Sequence, residues 1–222
     1  MRTGPSMPLL LLDLDNTLVD RDAAFRAAVA DFLAEHALPA HDAEWLMTVD
    51  AGGYTPRAEV ARAVRARYGA RAPGHAVRDL LDRGAADRVV LSRPVRVALV
   101  RALTTGWTLV IVTNGRTAQQ EMKIRTTGLD ALAHGWVVSE AVGHKKPAPE
   151  IFHAAAATVG AGLDGTWVIG DPPHADIAGA AGIGARSVWV SAGRPWTETA
   201  HSPTRTAPDT ASAIDSVVDA PG

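Results

Sequence analysis

Cysteine is absent from this 222-residue chain, which excludes disulfides, iron–sulfur clusters and thiolate zinc sites. Any metal must be held by oxygen or histidine. The lack of thiols fits a reducing compartment, and the protein is expected to be cytoplasmic. An excess of charge of either sign is also missing. With 22 basic and 24 acidic residues the net charge is −2, so there is no electrostatic footprint for nucleic acid or an anionic membrane. The opening MRTGPSMPLLLL carries one arginine and an apolar stretch broken at Asp13, too short for a secretory leader and far too short for a membrane span. Several motifs are missing too. The glycine cluster GAAGIG at 179–184 lies late and is wrongly spaced for a dinucleotide fold, and reads as a helix end. The eight histidines form no HExxH or i, i+4 pair, and no GxSxG occurs.

What is present is a globular composition, 47% hydrophobic, at a length that suits one sizeable domain or a domain with a smaller insert. There is no internal repeat and no low-complexity tract. Residues 22–37 place Ala23, Phe25, Ala28, Val29, Phe32 and Leu33 at helical spacing, and 56–68 and 75–89 also read as helices. Breaks fall at Gly52-Gly53-Tyr54 and Ala72-Pro73-Gly74, and the whole stretch 19–92 reads as a helical insert. From Pro94 the pattern becomes an alternation: helix 94–104, strand 107–113, helix 116–126, strand 136–138, helix 148–159, strand 166–170, helix 175–181, strand 186–190. Strands rich in Val, Ile and Trp that alternate with helices predict a parallel sheet covered on both faces. After Ser191 the chain is rich in Pro, Thr and Ser until a last helix at 210–218.

Four polar stations follow the predicted strands. The first is LLLLDLDNT, an apolar run that stops on Asp13 and Asp15, with Thr17 beyond. Ligands of open α/β sheets bind just past such strand ends. Two carboxyls there suit one group that attacks and one that handles protons, although Asp and Asn also serve as ordinary turn and cap residues. The second is Thr113-Asn114-Gly115, whose hydroxyl, amide and permissive backbone could hold an anion, or simply turn the chain into a helix. The third is Gly143-His144-Lys145-Lys146-Pro147, in which Lys146 is a candidate fixed positive charge, against the simpler reading of solvated lysines. The fourth, Gly170-Asp171-Pro172-Pro173-His174-Ala175-Asp176, again delivers carboxylates. Asp13, Asp171 and Asp176, with a backbone carbonyl and waters, match what magnesium prefers. Four stations in order supply a nucleophile, a metal, cationic and amide donors and a proton donor, the parts list of phosphoryl transfer. His144 and His174 read as loop residues near these stations.

DLDNT (13–17), TN (113–114), KKP (145–147) and GDPPHAD (170–176) together resemble the haloacid dehalogenase superfamily of hydrolases. The resemblance covers nearly the whole chain, and the helical insert is similar to the cap that one subgroup carries after its first motif. It implies an α/β fold: a Rossmann-like three-layer core with a parallel sheet, residues 7–18 and 93–222, plus a small α-helical cap, 19–92. It implies a magnesium-dependent phosphatase in which Asp13 is the nucleophile and Asp15 the acid and base. Thr113 and Asn114 would hold the phosphoryl oxygens, with Lys146 neutralising charge around them. Asp13, Asp171 and the carbonyl of Asp15 would ligate Mg2+, with Asp176 ligating or orienting beside them. Thr17 would shape the loop after the nucleophile. Asp15 speaks against the family's dehalogenation of carbon. A phosphomutase, or a non-catalytic binding protein keeping the fold, remains an alternative. Pro172 stands where a small polar residue is common. The expected partner is a small phosphorylated metabolite, with no nucleic acid or membrane, acting on a monomer or homodimer. Arg21, Phe25, Trp45 and the Gly52-Gly53-Tyr54 turn are candidates for the cap's inner face, Phe25 and Trp45 equally for its core.

Overall fold

A computed structural model describes residues 8–219. Met7 and residues 220–222, which the expected core included, lie outside the described residues, as does the opening segment 1–7 weighed as a leader. The chain divides into two compact units, one running through Val19 and resuming at Leu91, the other Asp20–Val90. No helix among the described residues is long and apolar enough to cross a membrane.

The unit Asp20–Val90 is helical: α1 (Arg21–Glu35), α2 (Ala43–Asp50), α3 (Arg57–Tyr68) and α4 (Gly74–Arg83). The side chain of Asp20 caps α1 by accepting from the Ala23 amide at 2.8 Å. Phe25, Val29, Phe32 and Leu33 of α1, Val60 and Val64 of α3, and Val77 and Leu81 of α4 are buried, as their three- and four-residue spacings require. The helix expected over 75–89 ends at Arg83, because Gly84 takes the left-handed conformation (φ 53°) and its amide donates to the Leu80 carbonyl, a common helix stop. Asp42 is buried and accepts from Tyr68 Oη at 2.7 Å and from the Arg67 guanidinium, which also stacks over Trp45.

The other unit is built on six parallel strands: β1 (Leu9–Leu12), β2 (Thr108–Thr113), β3 (Gly135–Val138), β4 (Trp167–Gly170), β5 (Arg186–Val190) and β6 (Arg205–Ala207), in the order β3-β2-β1-β4-β5-β6. Around them run α5 (Arg93–Thr104), α6 (Thr117–Thr126), α7 (Ser139–Val142), α8 (Pro149–Thr158), α9 (Ala178–Gly182) and α10 (Thr210–Val218). The architecture is the three-layer, Rossmann-like α/β arrangement. β1, β2 and β4 are buried along their whole lengths, which is why they read as unbroken apolar runs. Leu9, Leu11, Val110, Val112 and Val168 pack against Ile151, Phe152 and Ala155 of α8. Leu12, Leu109 and Ile111, pointing the other way, gather with Leu99 of α5 and Leu129.

Two elements depart from the sequence reading. β6 lies in the Pro-, Thr- and Ser-rich stretch that gave no strand signal; it is three residues long and pairs only with β5, Val188 opposite Arg205. Nothing in Arg-Thr-Ala alternates, so tertiary pairing at a sheet edge makes this strand. The helix expected at 175–181 is instead a π-type turn, Pro173–Ile177, followed by the short α9. The helical turn begins earlier than expected, at Pro173, whose missing amide is one that the first turn of a helix leaves unpaired in any case.

β1 lies between β2 and β4, paired Leu12 to Ile111 and Leu12 to Ile169. The chain runs to one side of β1 for β2 and β3 and to the other for β4 to β6, so the carboxyl end of β1 is the topological switch point, the place where such sheets bind ligands.

Packing is close at Gly179, where an added Cβ would lie 2.5 Å from Phe152 Cζ. Gly179→Ala is therefore expected to cost ~1–3 kcal/mol by overpacking. A Phe152→Leu background should recover part of that cost, while Gly182→Ala, whose Cβ meets nothing within 4 Å, should be neutral or stabilising. Urea denaturation of the two single variants and the double variant measures the coupling. Additive losses would show that the two side chains do not share the space.

Candidate active site

Asp13 follows β1 directly, and its amide continues the ladder by donating to the Ile169 carbonyl at 2.9 Å. Its carboxyl is buried, 6% exposed, and Oδ1 accepts from Lys146 Nζ at 2.6 Å. The same ammonium donates to the Val112 carbonyl at 2.7 Å and lies 2.7 Å from Asp176 Oδ1. Burial alone would discharge Lys146, but Asp13 and Asp176 outweigh it and hold its pKa above the ordinary lysine value. Burial raises the pKa of Asp13, with Lys146 pulling the other way, and raises that of Asp176 further, against the same lysine.

Lys146 reaches this position because its loop is stapled to the end of β2. Asn114 Oδ1 accepts from the Lys146 amide at 2.8 Å and Asn114 Nδ2 donates to the Lys146 carbonyl at 3.1 Å. The side chain of Asn114 is thus a strut for the lysine loop. Asp176 reaches Lys146 over β4 because residue 170 is glycine; a Cβ there would sit 1.8 Å from Asp176 Oδ2. Asp176 therefore serves the lysine, and its Oδ2 has no hydrogen-bond partner.

Asp171 turns Oδ1 toward the Thr17 hydroxyl at 3.5 Å, and the same hydroxyl lies 3.4 Å from Asp13 Oδ2. Thr17 is fixed in turn by Thr210, whose hydroxyl donates to its carbonyl at 2.6 Å. Burial and the charge of Asp13 push Asp171 up to about 7, opposed by Arg194. Arg194 was not found in the sequence reading. Its guanidinium reaches Asp171 Oδ2 at 3.1 Å and the carbonyls of Asp171, Ser191 and Val190, while Trp189 Nε1 donates to the Asp171 carbonyl at 2.8 Å.

Asp15 stands apart from this group. Lys123 Nζ of α6 lies 2.7 Å from each of its carboxylate oxygens, and Gln120 Nε2 donates to Oδ2 at 3.0 Å. Gln120 also donates to Thr113 Oγ1 at 2.5 Å and to the Asn114 carbonyl at 3.3 Å. Neither residue was foreseen, although both fall in a predicted helix three residues apart, on one face.

Two acidic side chains, Asp13 and Asp171, thus converge on one weakly placed hydroxyl with more negative charge than the neighbouring cations balance. Among the described residues no three His, Cys, Asp or Glu side chains gather as a metal cage. An all-oxygen set of carboxylates fits magnesium; Lys146 pairs with Asp13 Oδ1 and Asp176 Oδ1 alike, which leaves Asp13 Oδ2, Asp171 Oδ1 and Asp176 Oδ2 as the carboxylate oxygens not held by a lysine or arginine. His144 is not a ligand either; its Nδ1 lies 3.8 Å from Glu150.

Within the helical unit, Phe25 is fully buried and belongs to its core, and Trp45 is half-buried under Arg67. Arg21 is buried as well, 2.5 Å from Asp50 and stacked over Phe25. Tyr54 is exposed.

A model of the haloacid dehalogenase-like hydrolases matches residues 7–184. The chain is 31% identical over 99 residues to a glyceraldehyde 3-phosphate phosphatase of Pyrococcus abyssi, covering 45% of this chain and 42% of that protein. It is 35% identical over 98 residues to a phosphoserine phosphatase of Thermus thermophilus, covering 43% and 38%. These matches span about two fifths of each relative. In three dimensions it superimposes on the magnesium-bound crystal structure of YfnB from Bacillus subtilis with a TM-score of 0.77, over 97% of this chain and 100% of that one, at 23% identity, a likeness of fold. A switch point that gathers Asp13, Asp15, Thr113, Lys146 and Asp171, in a segment matched nearly end to end by one family model, makes the chain a member of the haloacid dehalogenase-like hydrolases.

Proposed function

We propose that this chain is a cytoplasmic, magnesium-dependent phosphatase that hydrolyses a small phosphomonoester through an aspartyl-phosphate on Asp13. The observation that carries the reading is the division of labour between two carboxyls one residue apart. Asp13 is buried with one oxygen on Lys146, whereas Asp15 is held at the rim by Lys123, its side chain 25% exposed. The phosphatase names of the relatives support the same class.

The nucleophilic oxygen of Asp13 attacks phosphorus, the bond to the leaving alcohol breaks, and Asp15 gives its proton to the departing oxygen. In the second half Asp15 takes a proton from water, the water oxygen attacks phosphorus, the Asp13–phosphorus link breaks, and inorganic phosphate leaves. Lys146 opposes the rise in pKa that burial imposes on the Asp13 carboxyl, and Thr113 offers its hydroxyl to the phosphoryl oxygens. Asp13, Asp171 and the Asp15 carbonyl, with Asp176 beside them, would hold magnesium, which would supply charge neutralisation at the phosphoryl group.

Three outcomes are expected. Phosphate release from a panel of phosphomonoesters should require magnesium and fall at least ~10³-fold in Asp13→Asn, with the fold intact by circular dichroism. An active, folded variant would remove Asp13 as nucleophile, and transfer of phosphate between sugars without release would indicate a mutase. Asp15→Asn should lose ~10²–10⁴-fold with an alkyl phosphate but much less with a nitrophenyl phosphate, which leaves without a proton.

The third outcome concerns pH. Asp171 has a folded pKa of about 7 against an ordinary 3.8, so between these values the metal-free fold retains a proton that the unfolded chain releases. The stability tied to that proton is full below about 3.8 and is lost as pH rises to about 7. In chelator, the melting temperature of Asp171→Asn relative to wild type should therefore climb across this window and level off above it. A flat difference would show that Asp171 is ionised throughout.

A further inference from the structure

We propose that Lys123 and Gln120 are positioning residues that fix the proton-handling carboxyl of Asp15 against the phosphate station of Thr113 and Asn114. The proposal rests on the reading of Asp15 as the acid and base. Lys123 is 3% exposed and Gln120 1% exposed, yet neither fills an apolar gap; both spend their polar ends on Asp15. Lysine is seldom buried unless it is paired, and here its ammonium sits 2.7 Å from both carboxylate oxygens. A two-point contact fixes the direction of the side chain and the plane of the carboxyl together. Gln120 adds a third contact at 3.0 Å.

The same Gln120 nitrogen ties that carboxyl to the opposite side of the site, through Thr113 Oγ1 and the Asn114 carbonyl. The acid and the hydroxyl meant to grip one phosphoryl group are thus referenced to a single side chain. Local backbone is shaped around it. Gly115 adopts φ 150°, and a Cβ at that position would press to 3.0 Å on Gln120 Cγ and Cδ. The base of α6 is braced as well, because Arg96 Nη2 donates to the Thr127 carbonyl at 3.0 Å and Thr127 Oγ1 returns to the Lys123 carbonyl at 2.7 Å.

Folding alone does not call for this clamp. The Asp15 side chain is a quarter exposed, and water would satisfy a carboxylate there. What water cannot do is hold the carboxyl at one distance from the leaving oxygen. In the first half-reaction the proton leaves Asp15 for that oxygen as its bond to phosphorus breaks; in the second a proton returns to Asp15 from water. Displacement of such a group by about 1 Å can cost ~10²-fold.

The test compares Lys123→Met, Gln120→Leu and Asp15→Asn on two substrates, glycerol phosphate and nitrophenyl phosphate, with a crystal structure of Lys123→Met. The expected result is a fall in kcat of ~10²-fold for glycerol phosphate and several-fold for nitrophenyl phosphate, at unchanged KM, with the Asp15 carboxyl turned away from its present position. Gln120→Leu should show the same bias at smaller size, and carries the comparison if Lys123→Met does not fold. Equal losses on both substrates, or an Asp15 that has not moved, overturn the proposal. If Asp15→Asn is biased toward glycerol phosphate while the α6 variants are not, the clamp fails and the phosphatase reading stands; if Asp15→Asn shows no bias, both fall.

Discussion

One buried ammonium organises the switch point. Lys146 Nζ has three oxygens at 2.6–2.7 Å, one from each of three segments that are distant in sequence: Asp13 after β1, the Val112 carbonyl of β2 and Asp176 after β4. A buried charge with fewer partners would be costly, so the lysine, the two carboxyls and the three strand ends must assemble together or not at all. The surrounding sequence is consistent with that demand. Asn114 pins the lysine backbone, Gly170 clears the path for Asp176, and the adjoining helix packs through Gly179 against Phe152.

That arrangement leaves a deficit of positive charge. Within the buried group Lys146 faces Asp13 and Asp176, while Asp171 has only the half-exposed Arg194. The raised pKa values of all three carboxyls express the deficit, burial being the largest cause of each. A site made to receive a divalent cation and a phosphoryl group should look like this: too negative for itself, with the excess directed between Asp13 and Asp171. Charge that had been fully neutralised by protein groups would leave no electrostatic reason to bind a metal.

Much of this was legible in the sequence because it depends on short-range patterns. The leucine run ending at Asp13 and the runs before Thr113 and Asp171 mark buried parallel strands, and residues just beyond such strands have to meet. Sequence position therefore stood in for spatial position. Arg194 has no such marker: it lies on a loop after β5, and only the fold brings it to Asp171. Lys123 and Gln120 carried a partial signal, polar residues spaced three apart on a helix, and they are among its few buried residues, but periodicity does not say which carboxylate they would find. β6 was hidden for another reason, since three residues paired on one edge show no alternation to read. Asn114 was legible as a polar station but its stapling of the lysine loop was not, because an amide near an anion site and an amide that staples a loop look identical until the loop is placed.

The two lysines explain how two aspartates one residue apart can do different work. Asp13 is enclosed and paired with an ammonium that serves Asp176 as well, which opposes the effect of burial and suits a nucleophile that must be aimed in one direction. Asp15 is a quarter exposed and faces a separate ammonium on α6, beside the hydroxyl of Thr113. A proton handler needs exchange with water between half-reactions, and a nucleophile needs to be kept from it. Pairs of carboxyls acquire distinct roles when their environments diverge. Here the divergence is set by which helix or loop supplies the cation: the stapled 145–147 loop for Asp13 and the polar face of α6 for Asp15. Exchanging either cation for a neutral side chain would erase the distinction on one side only, so in the proposed reaction the two roles would rest on separable parts of the same sheet edge.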